Sequence, residues 1–455
     1  MKVIKIGGGC LKNGKAARAI VDLIAQKGLG QIFVLSAFGG ITDMLIHGID
    51  TALQNEAGIV PTIEEMTQHH HHIIDELMDV TPHAGQLKEE LESFFLTLER
   101  YYYGISFTRE ATPRMKDIIA SYGERISAVI ISRVLESRGC RSEFLMPDVA
   151  GIITDGKYMD ATADMTRTRD NLYPLIRSIM DERKMLFIPG FFGKSRDGEI
   201  TTFGRGGSDY SAAVVAAAVD AEVLEIWKDT EGFMTADPDN IPDCRLIPEL
   251  TYEEAAELSY TGAGILHART VEPARKAGIG ISIRNTFNPE APGSMITDHA
   301  RTTDRVIKSV SYTTDISVLK IFASGVGARY GILSQITDTL ARDAVNIKSV
   351  VTSQTGISLL LARDDLDRSF NALKQVKPRP FRKMQKVSGV ALVSIVGEGL
   401  HRNRGIAAKC FTAVSQAKVN IEMISFGTSN AALYFLVKER DLDQTINSLH
   451  STFFD

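Results

Sequence analysis

The segment Phe203-Gly204-Arg205-Gly206-Gly207-Ser208-Asp209-Tyr210 combines residue types that suit a small charged ligand. Glycines let the backbone approach an anion, and a helix opening behind them, over the small residues 211–219, aims unpaired N–H groups at it. The loop also carries both signs of charge. Arg205 can fork onto a carboxylate, while Asp209 can hold an amine or a metal ion, so the pair suits a zwitterion. A lone Gly-Gly pair would read more simply as a tight turn before a buried helix. Two further glycine turns weigh against that simpler reading. Residues 2–6 read as a strand that carries Lys5 and ends in Gly7-Gly8-Gly9, and residues 31–35 as one that ends in Ser36-Ala37-Phe38-Gly39-Gly40-Ile41-Thr42-Asp43. With the apolar run 185–188 ahead of the arginine loop, three strand ends are expected at one edge of a parallel sheet, where open α/β folds bind ligands.

Further motifs extend this pattern over essentially the whole chain. Lys5-Ile6-Gly7-Gly8, Val34-Leu35-Ser36-Ala37 with Thr42, Ser121-Tyr122-Gly123-Glu124, the arginine loop, Trp227-Lys228-Asp229 with Gly232 and Asp237-Pro238, and Gly262-Ala263 with Leu266-His267 follow one another in that order. Together they resemble the signature set of the aspartate kinases, in the amino acid kinase family. The resemblance implies an α/β fold: an amino-acid-kinase-like three-layer sandwich with a mostly parallel sheet over residues 1–300, followed by two ferredoxin-like α+β modules of the ACT type over residues 301–455. It implies ATP and Mg2+ as cofactors and L-aspartate as substrate, phosphorylated on its side chain to 4-phospho-L-aspartate at the head of the routes to lysine, threonine and methionine.

The resemblance also implies roles. Arg205 would hold the substrate α-carboxylate and Glu124 its amino group, Ser36 and Thr42 would lie near the reacting carboxylate, and Gly206, Gly207 and Ser208 would also bind the substrate. Lys5 would supply positive charge to the transferring group and Asp209 would support the amine or the catalytic loop. Gly7, Gly8 and Gly9, with Lys5, Lys228, Asp229, Met234, Asp239 and Gly264, would border the nucleotide. No general base is needed, because a carboxyl with an ordinary pKa of about 3.9 is already an ionised nucleophile; the task is to bring two anions together.

Several positions depart from the family pattern. Gly7-Gly8-Gly9-Cys10 stands where Gly-Gly-Thr-Ser is usual, Met234 replaces a tyrosine, Asp239 a basic residue and Gly264 a lysine, while Lys228 stands where threonine is common. Losing one hydrogen bond to a charged group costs roughly 1.5–3 kcal/mol, enough to weaken ATP binding tenfold or more. Two alternatives to an active aspartate kinase therefore stay open: a non-catalytic relative that senses amino acids, and a kinase for another amino-acid carboxylate. Retention of Lys5, Glu124, Arg205 and Asp209 argues against decay. Gly193-Lys194-Ser195 mimics the end of a phosphate-binding P-loop, but Ile188 stands where that motif needs its first glycine.

The elements that must position these residues follow from pattern and composition. The 455 residues suffice for two or three domains, and 44% hydrophobic with 24% charged is ordinary globular usage. A net charge of −5 gives no electrostatic reason to expect nucleic acid, no apolar run reaches membrane length, and Cys10, Cys140, Cys244 and Cys410 are scattered; a cytoplasmic enzyme with free thiols is expected. Strands alternate with helices as far as about Asn288, except for a long helical stretch over residues 61–100. That stretch holds His69-His70-His71-His72, which read as a solvated helix face, since four consecutive side chains cannot converge on one ion.

After the turn-rich segment Asn288-Pro289-Glu290-Ala291-Pro292-Gly293-Ser294 the chain repeats itself. Gly331-Ile332 with Val345-Asn346-Ile347 recurs at identical spacing as Gly405-Ile406 with Val419-Asn420-Ile421. Two βαββαβ modules are expected, over about residues 315–380 and 387–455. By the resemblance they would bind an amino-acid effector at shared interfaces and build a homodimer or a dimer of dimers. Lys348, just after the first Val-Asn-Ile, reads as unfavourable to a cationic effector such as lysine.

Overall fold

The structure, a computed structural model, describes residues 1–78, 81–262, 264–299, 306–323, 325–326 and 329–455. The expected domain junction at 300/301 and Ala263 of the Gly262-Ala263 pair lie outside the described residues. The chain forms two compact units, one of Met1–Phe233, Leu246–Ala256 and Gly264–Arg301, the other of Met234–Arg245, Glu257–Ala263 and Thr302–Asp455.

The first unit is built on strands β1 (Val3–Ile6), β2 (Ile32–Leu35), β3 (Ser142–Phe144), β4 (Ile153–Thr154), β5 (Met185–Pro189), β6 (Phe192–Ser195), β7 (Ile200–Thr202), β8 (Val223–Lys228), β9 (Glu249–Thr251), β10 (Gly280–Asn285) and β11 (Ser294–Thr297). Eight of them form one sheet in the order β3-β5-β2-β1-β8-β10-β11-β9, parallel throughout except between β10 and β11. Its strands β1, β2 and β5 are short runs buried at every position, apolar but for Lys5, as strands covered on both faces must be. The register pairs Ile6 with Leu35 and with Trp227, so Gly7, Ser36 and Lys228 emerge side by side at the carboxyl ends of three neighbouring strands.

The arginine loop reaches this edge by a detour. It does not follow β5 directly; a β6–β7 hairpin, part of the small sheet β4-β6-β7, intervenes. Phe203 N–H then donates to the carbonyl oxygen of Phe191 (2.8 Å), which returns the chain to the end of β5. The helix that follows, Gly207–Ala218, is buried along its whole length. Its alanines, valines and serines allow that, because small side chains let the helix lie close to the sheet.

The helical stretch forms Ile59–Leu77 and Pro82–Thr108, and the expected solvated histidine face is a correction. His70 is fully buried, with its ring against Phe38 and Phe95, whereas His72 is exposed. Its Nδ1–H donates to the Met66 carbonyl oxygen at 2.7 Å, and Nε2 has no partner. The apolar residues Met66, Ile73, Ile74 and Leu77 place His70 on the helix's inward stripe.

The second unit contains β12 (Ser309–Thr313), β13 (Ser317–Phe322), β14 (Ile347–Ser353), β15 (Gly356–Leu361), β16 (Lys383–Val387), β17 (Val390–Val396), β18 (Met423–Phe426) and β19 (Ala432–Lys438). Two antiparallel sheets result, β14-β15-β13-β16 and β12-β17-β19-β18. The sequence repeat is written into both. Gly331 and Gly405 begin equal helices, Ile332–Arg342 and Ile406–Gln416, from left-handed backbone, and Ala344 and Lys418 share a positive φ thirteen residues later. The second module, however, does not draw its fourth strand from its own end. That place is filled by β12, which precedes the whole first module, while residues Leu442–Phe454 form a helix.

Burial pushes the pKa of His70 down to about 4, against only a helix carbonyl and with His69 and His71 opposing its charge. The unfolded chain takes up a proton below about 6.5 and the native state does not until about 4. Native stability is therefore expected to fall as pH drops through that window, by at most about 1.4 kcal/mol per pH unit for one proton. His70→Phe should flatten this dependence in pH-resolved denaturant unfolding; an unchanged slope would contradict the buried neutral imidazole.

Candidate active site

The carboxyl edge of the sheet opens into a cleft of about 600 Å3 lined by Lys5, Ser36, Thr42 and residues 204–209. At its floor lies a buried ion cluster. Lys5 Nζ is 2.5 Å from Asp209 Oδ1 and Lys228 Nζ is 3.3 Å from Asp209 Oδ2; the three side chains are 6%, 7% and 18% exposed for Lys5, Asp209 and Lys228 respectively. Burial disfavours the Asp209 carboxylate, but the charges of Lys5 and Lys228 outweigh it and hold its pKa below the ordinary value. Burial also lowers the pKa of Lys228, with Asp209 opposing that shift.

Local backbone explains why these side chains can meet. Asp209 sits in the first turn of the helix Gly207–Ala218, where N–H dipoles favour negative charge. Gly206 has φ 71°, and a Cβ there would lie 2.4 Å from His267 Cβ; a Cβ on Gly207 would lie 2.7 Å from the Phe191 ring. Both positions therefore require glycine. At Gly7 a Cβ would stand 3.6 Å from both Lys5 Nζ and Lys228 Cγ, in the space where the two lysine side chains converge.

The upper part of the cleft presents separated charges. Arg205 is exposed and has no hydrogen-bond or ion-pair partner among the described residues. Glu124, buried at the start of the helix Tyr122–Ser137, accepts from Ser208 Oγ (3.2 Å) through Oε1, while Oε2 has no partner. Burial pushes its pKa up to about 7, only partly offset by hydrogen bonds from the Ala37 backbone and Ser208. The Ser36 carbonyl oxygen accepts from Ser127 Oγ at 2.8 Å, and Thr42 lies in the first turn of the helix Ile41–Gln54.

The glycine turn after β1 adjoins the ion cluster on the other side. A Cβ on Gly9 would be 2.9 Å from Asp229 Oδ2, so glycine there leaves room for that carboxylate. Cys10 is fully buried, with Sγ 3.0 Å from Thr286 Oγ1 and 3.5 Å from the Trp227 carbonyl oxygen; it packs the turn and does not face the cleft. Gly264 is exposed with φ 62°, a backbone conformation that disfavours the lysine usual at that place. Met234 and Asp239 belong to the second unit: the Met234 carbonyl oxygen accepts from Ser309 Oγ, and Asp239 N–H donates to Asp237 Oδ1.

One residue of the site has no signal in the sequence. Asp117, fully buried on the helix Pro113–Ala120, accepts from the backbone N–H groups of Met159 (2.9 Å) and Thr202 (3.0 Å) and from Thr202 Oγ1 (2.6 Å). It ties two cleft-lining segments together just ahead of Arg205. A single aspartate in a short helix gives no pattern from which this could be read.

No group of three His, Cys, Asp or Glu side chains among the described residues is placed to hold a metal ion, and the acidic group at the cleft floor is engaged by two lysines. The donor set thus fits a divalent ion carried on ligand oxygens and not a protein cage. No helix among the described residues is long and apolar enough to cross a membrane.

Comparison with known proteins extends this geometry. The sequence model of the amino acid kinase family matches residues 1–285, and that of an ACT domain matches residues 393–453. The chain is 31% identical over 354 residues to the aspartokinase of Mycolicibacterium smegmatis, covering 75% of this chain and 82% of that protein. It is 27% identical over its whole length to the bifunctional aspartokinase/homoserine dehydrogenase of Buchnera aphidicola, of which it spans 56%. The fold matches E. coli aspartokinase III, solved with aspartate and ADP, with a TM-score of 0.85 at 24% identity and full coverage of both chains.

Proposed function

Since the chain belongs to the amino acid kinase family and to its aspartokinase branch, we propose that it transfers the γ-phosphoryl group of ATP to the side-chain carboxylate of L-aspartate, forming 4-phospho-L-aspartate. The observation that carries this reading is the cleft's charge layout: a free Arg205 and a half-satisfied buried Glu124 on one side, and a lysine-flanked Asp209 with a net positive charge at the floor. An amino acid with a second carboxylate matches that layout. Arg205 would fork onto the α-carboxylate and Glu124 would take the ammonium, which leaves the side-chain carboxylate directed at the lysines.

In the transfer itself a carboxylate oxygen forms the new O–P bond as the bond from phosphorus to the ADP oxygen breaks, and no proton moves. Lys5, ion-paired with Asp209, would offset charge gathering on the phosphoryl oxygens; N–H groups of Ser208 and Asp209 in the first turn of the helix Gly207–Ala218 and of Gly8 and Gly9 would add fixed donors, the Gly7 N–H being taken by the Trp227 carbonyl oxygen (3.0 Å). Mg2+, when bound with the nucleotide, would neutralise further phosphate charge. Ser36 and Thr42 would orient the reacting carboxylate, and Lys228, Asp229 and Gly264 would border the nucleotide. The product would be the activated acyl phosphate from which lysine, threonine and methionine are made.

We assign residues 1–300 to catalysis and 301–455 to regulation and association, with an amino-acid effector at the ACT-like modules. Support for association comes from β14 and β18, which are sheet edges exposing Val350, Ile424 and Phe426. A homodimer or a dimer of dimers follows, and a monomer in sedimentation at micromolar concentration would refute it. Lys348 Nζ lies 3.0 Å from Asp315 Oδ2, so its charge is locally matched, and the electrostatic ground for excluding a cationic effector is weaker than the sequence suggests.

Incubation with ATP, Mg2+, hydroxylamine and a panel of amino acids should yield the hydroxamate of L-aspartate. A hydroxamate of another amino acid would point to a different substrate, and none at all to a non-catalytic sensor. Glu124 supplies a second test through its pKa of about 7. Because the ammonium needs the ionised carboxylate, affinity for L-aspartate should fall towards about tenfold per pH unit below that value and level off above it. Glu124→Gln should bind weakly at every pH; a flat wild-type profile between pH 5.5 and 8 would contradict the role.

A further inference from the structure

Lys228 stands at the last position of β8, next to β1 in the sheet. Lys5 pairs with Ile226, and side chains on a strand alternate, so Ile226 and Lys228 share the face to which Lys5 points. Both ammonium groups then converge on the single carboxylate of Asp209 beside the glycine at position 7. The two contacts are unequal. Lys5 is bound at 2.5 Å and is 6% exposed; Lys228 is bound at 3.3 Å and is 18% exposed. Lys5 alone neutralises Asp209, and the other carboxylate near Lys228, Asp229, is exposed, so the second cation is unmatched within the buried part of the site, an arrangement that favours entry of an anion.

We propose that Lys228 is a catalytic residue of phosphoryl transfer, leaving Asp209 for the oxygens of the transferred group while Lys5 keeps its ion pair. The inference rests on the kinase reading above. It gives the chain two lysines at the reacting phosphorus, one fixed and one exchangeable. Electron flow is unchanged: the carboxylate oxygen bonds to phosphorus, the pair of the broken P–O bond stays on ADP, and both ammonium groups keep their protons. The groups facing Lys228 are Asp209 from the helix, Lys5 from β1 and Asp229 from its own strand end; burial and Lys5 lower its pKa against the two carboxylates. Loss of its proton on the alkaline side should therefore limit turnover at a lower pH than an ordinary lysine would.

The test compares wild type with Lys228→Met, which keeps the stem and removes the charge, and Lys228→Arg, which keeps a charge that does not titrate. Hydroxamate formation gives kcat and KM, and calorimetry gives the affinity for a non-hydrolysable ATP analogue. Lys228→Met should lose about 100-fold in kcat, bind the analogue about tenfold more weakly and keep KM for aspartate within about threefold. Lys228→Arg should retain part of kcat and shift the alkaline limb of its pH profile upward. Unchanged kcat, analogue affinity and alkaline limb in Lys228→Met, with only a shifted melting midpoint, would overturn the proposal and leave Lys228 a structural cation. Absence of any hydroxamate from wild type would instead sink the kinase reading, and the proposal with it.

Discussion

A carboxylate removed from water must be met by positive charge, and the first unit is arranged around that requirement at Asp209. The side chain is 7% exposed, sits in the first turn of a wholly buried helix, and takes Lys5 and Lys228 as partners from two adjacent strands. Register delivers both lysines: with Ile6 opposite Trp227, the two strands end side by side and their inward-facing lysines meet. The surrounding glycines answer to close packing beside the cluster. A Cβ at position 7 would lie 3.2 Å from the Trp227 carbonyl oxygen, and at 206 and 207 it would crowd His267 and Phe191.

The cluster is joined to the substrate side of the cleft through Ser208. Adjacent in sequence to Asp209, Ser208 donates to Glu124, whose second oxygen has no partner and whose burial keeps it partly protonated near neutrality. Such a carboxyl is poised for an ammonium, because an incoming cation both satisfies the orphan oxygen and stabilises the charged form. Arg205, by contrast, points to solvent with nothing to bind, and the segments around it are fixed from behind by Asp117 through Met159 and Thr202. An unpaired guanidinium on a loop held in this way is suited to capturing a carboxylate.

Much of this was legible in the sequence because glycine turns beside charged residues leave a local signature. Lys5, Glu124, Arg205 and Asp209 could be picked out, and the mostly parallel sheet followed from alternating strands and helices. What escaped depends on partners distant in the chain. The β6–β7 hairpin carries polar residues and two glycines, so it does not read as strands from periodicity. His70 looked solvated among four histidines because only the surrounding apolar positions reveal the inward stripe. The repeat fixed two equal helices, yet the strand that completes the second module lies outside the repeated spacing, ahead of the first module. Lys228 could be noticed as a departure, but its sharing of Asp209 with Lys5 depends on strand register, which a single sequence does not state.

The most direct measurement is a crystal structure with L-aspartate and a non-hydrolysable ATP analogue bound together. The α-carboxylate should lie on the Arg205 guanidinium, the ammonium on Glu124, and the γ-phosphate within hydrogen-bond reach of both Lys5 and Lys228, with Lys5 still paired to Asp209. A phosphate chain lying away from the two lysines, or an amino acid whose α-carboxylate avoids Arg205, would contradict the assignment of this cluster as the centre of phosphoryl transfer.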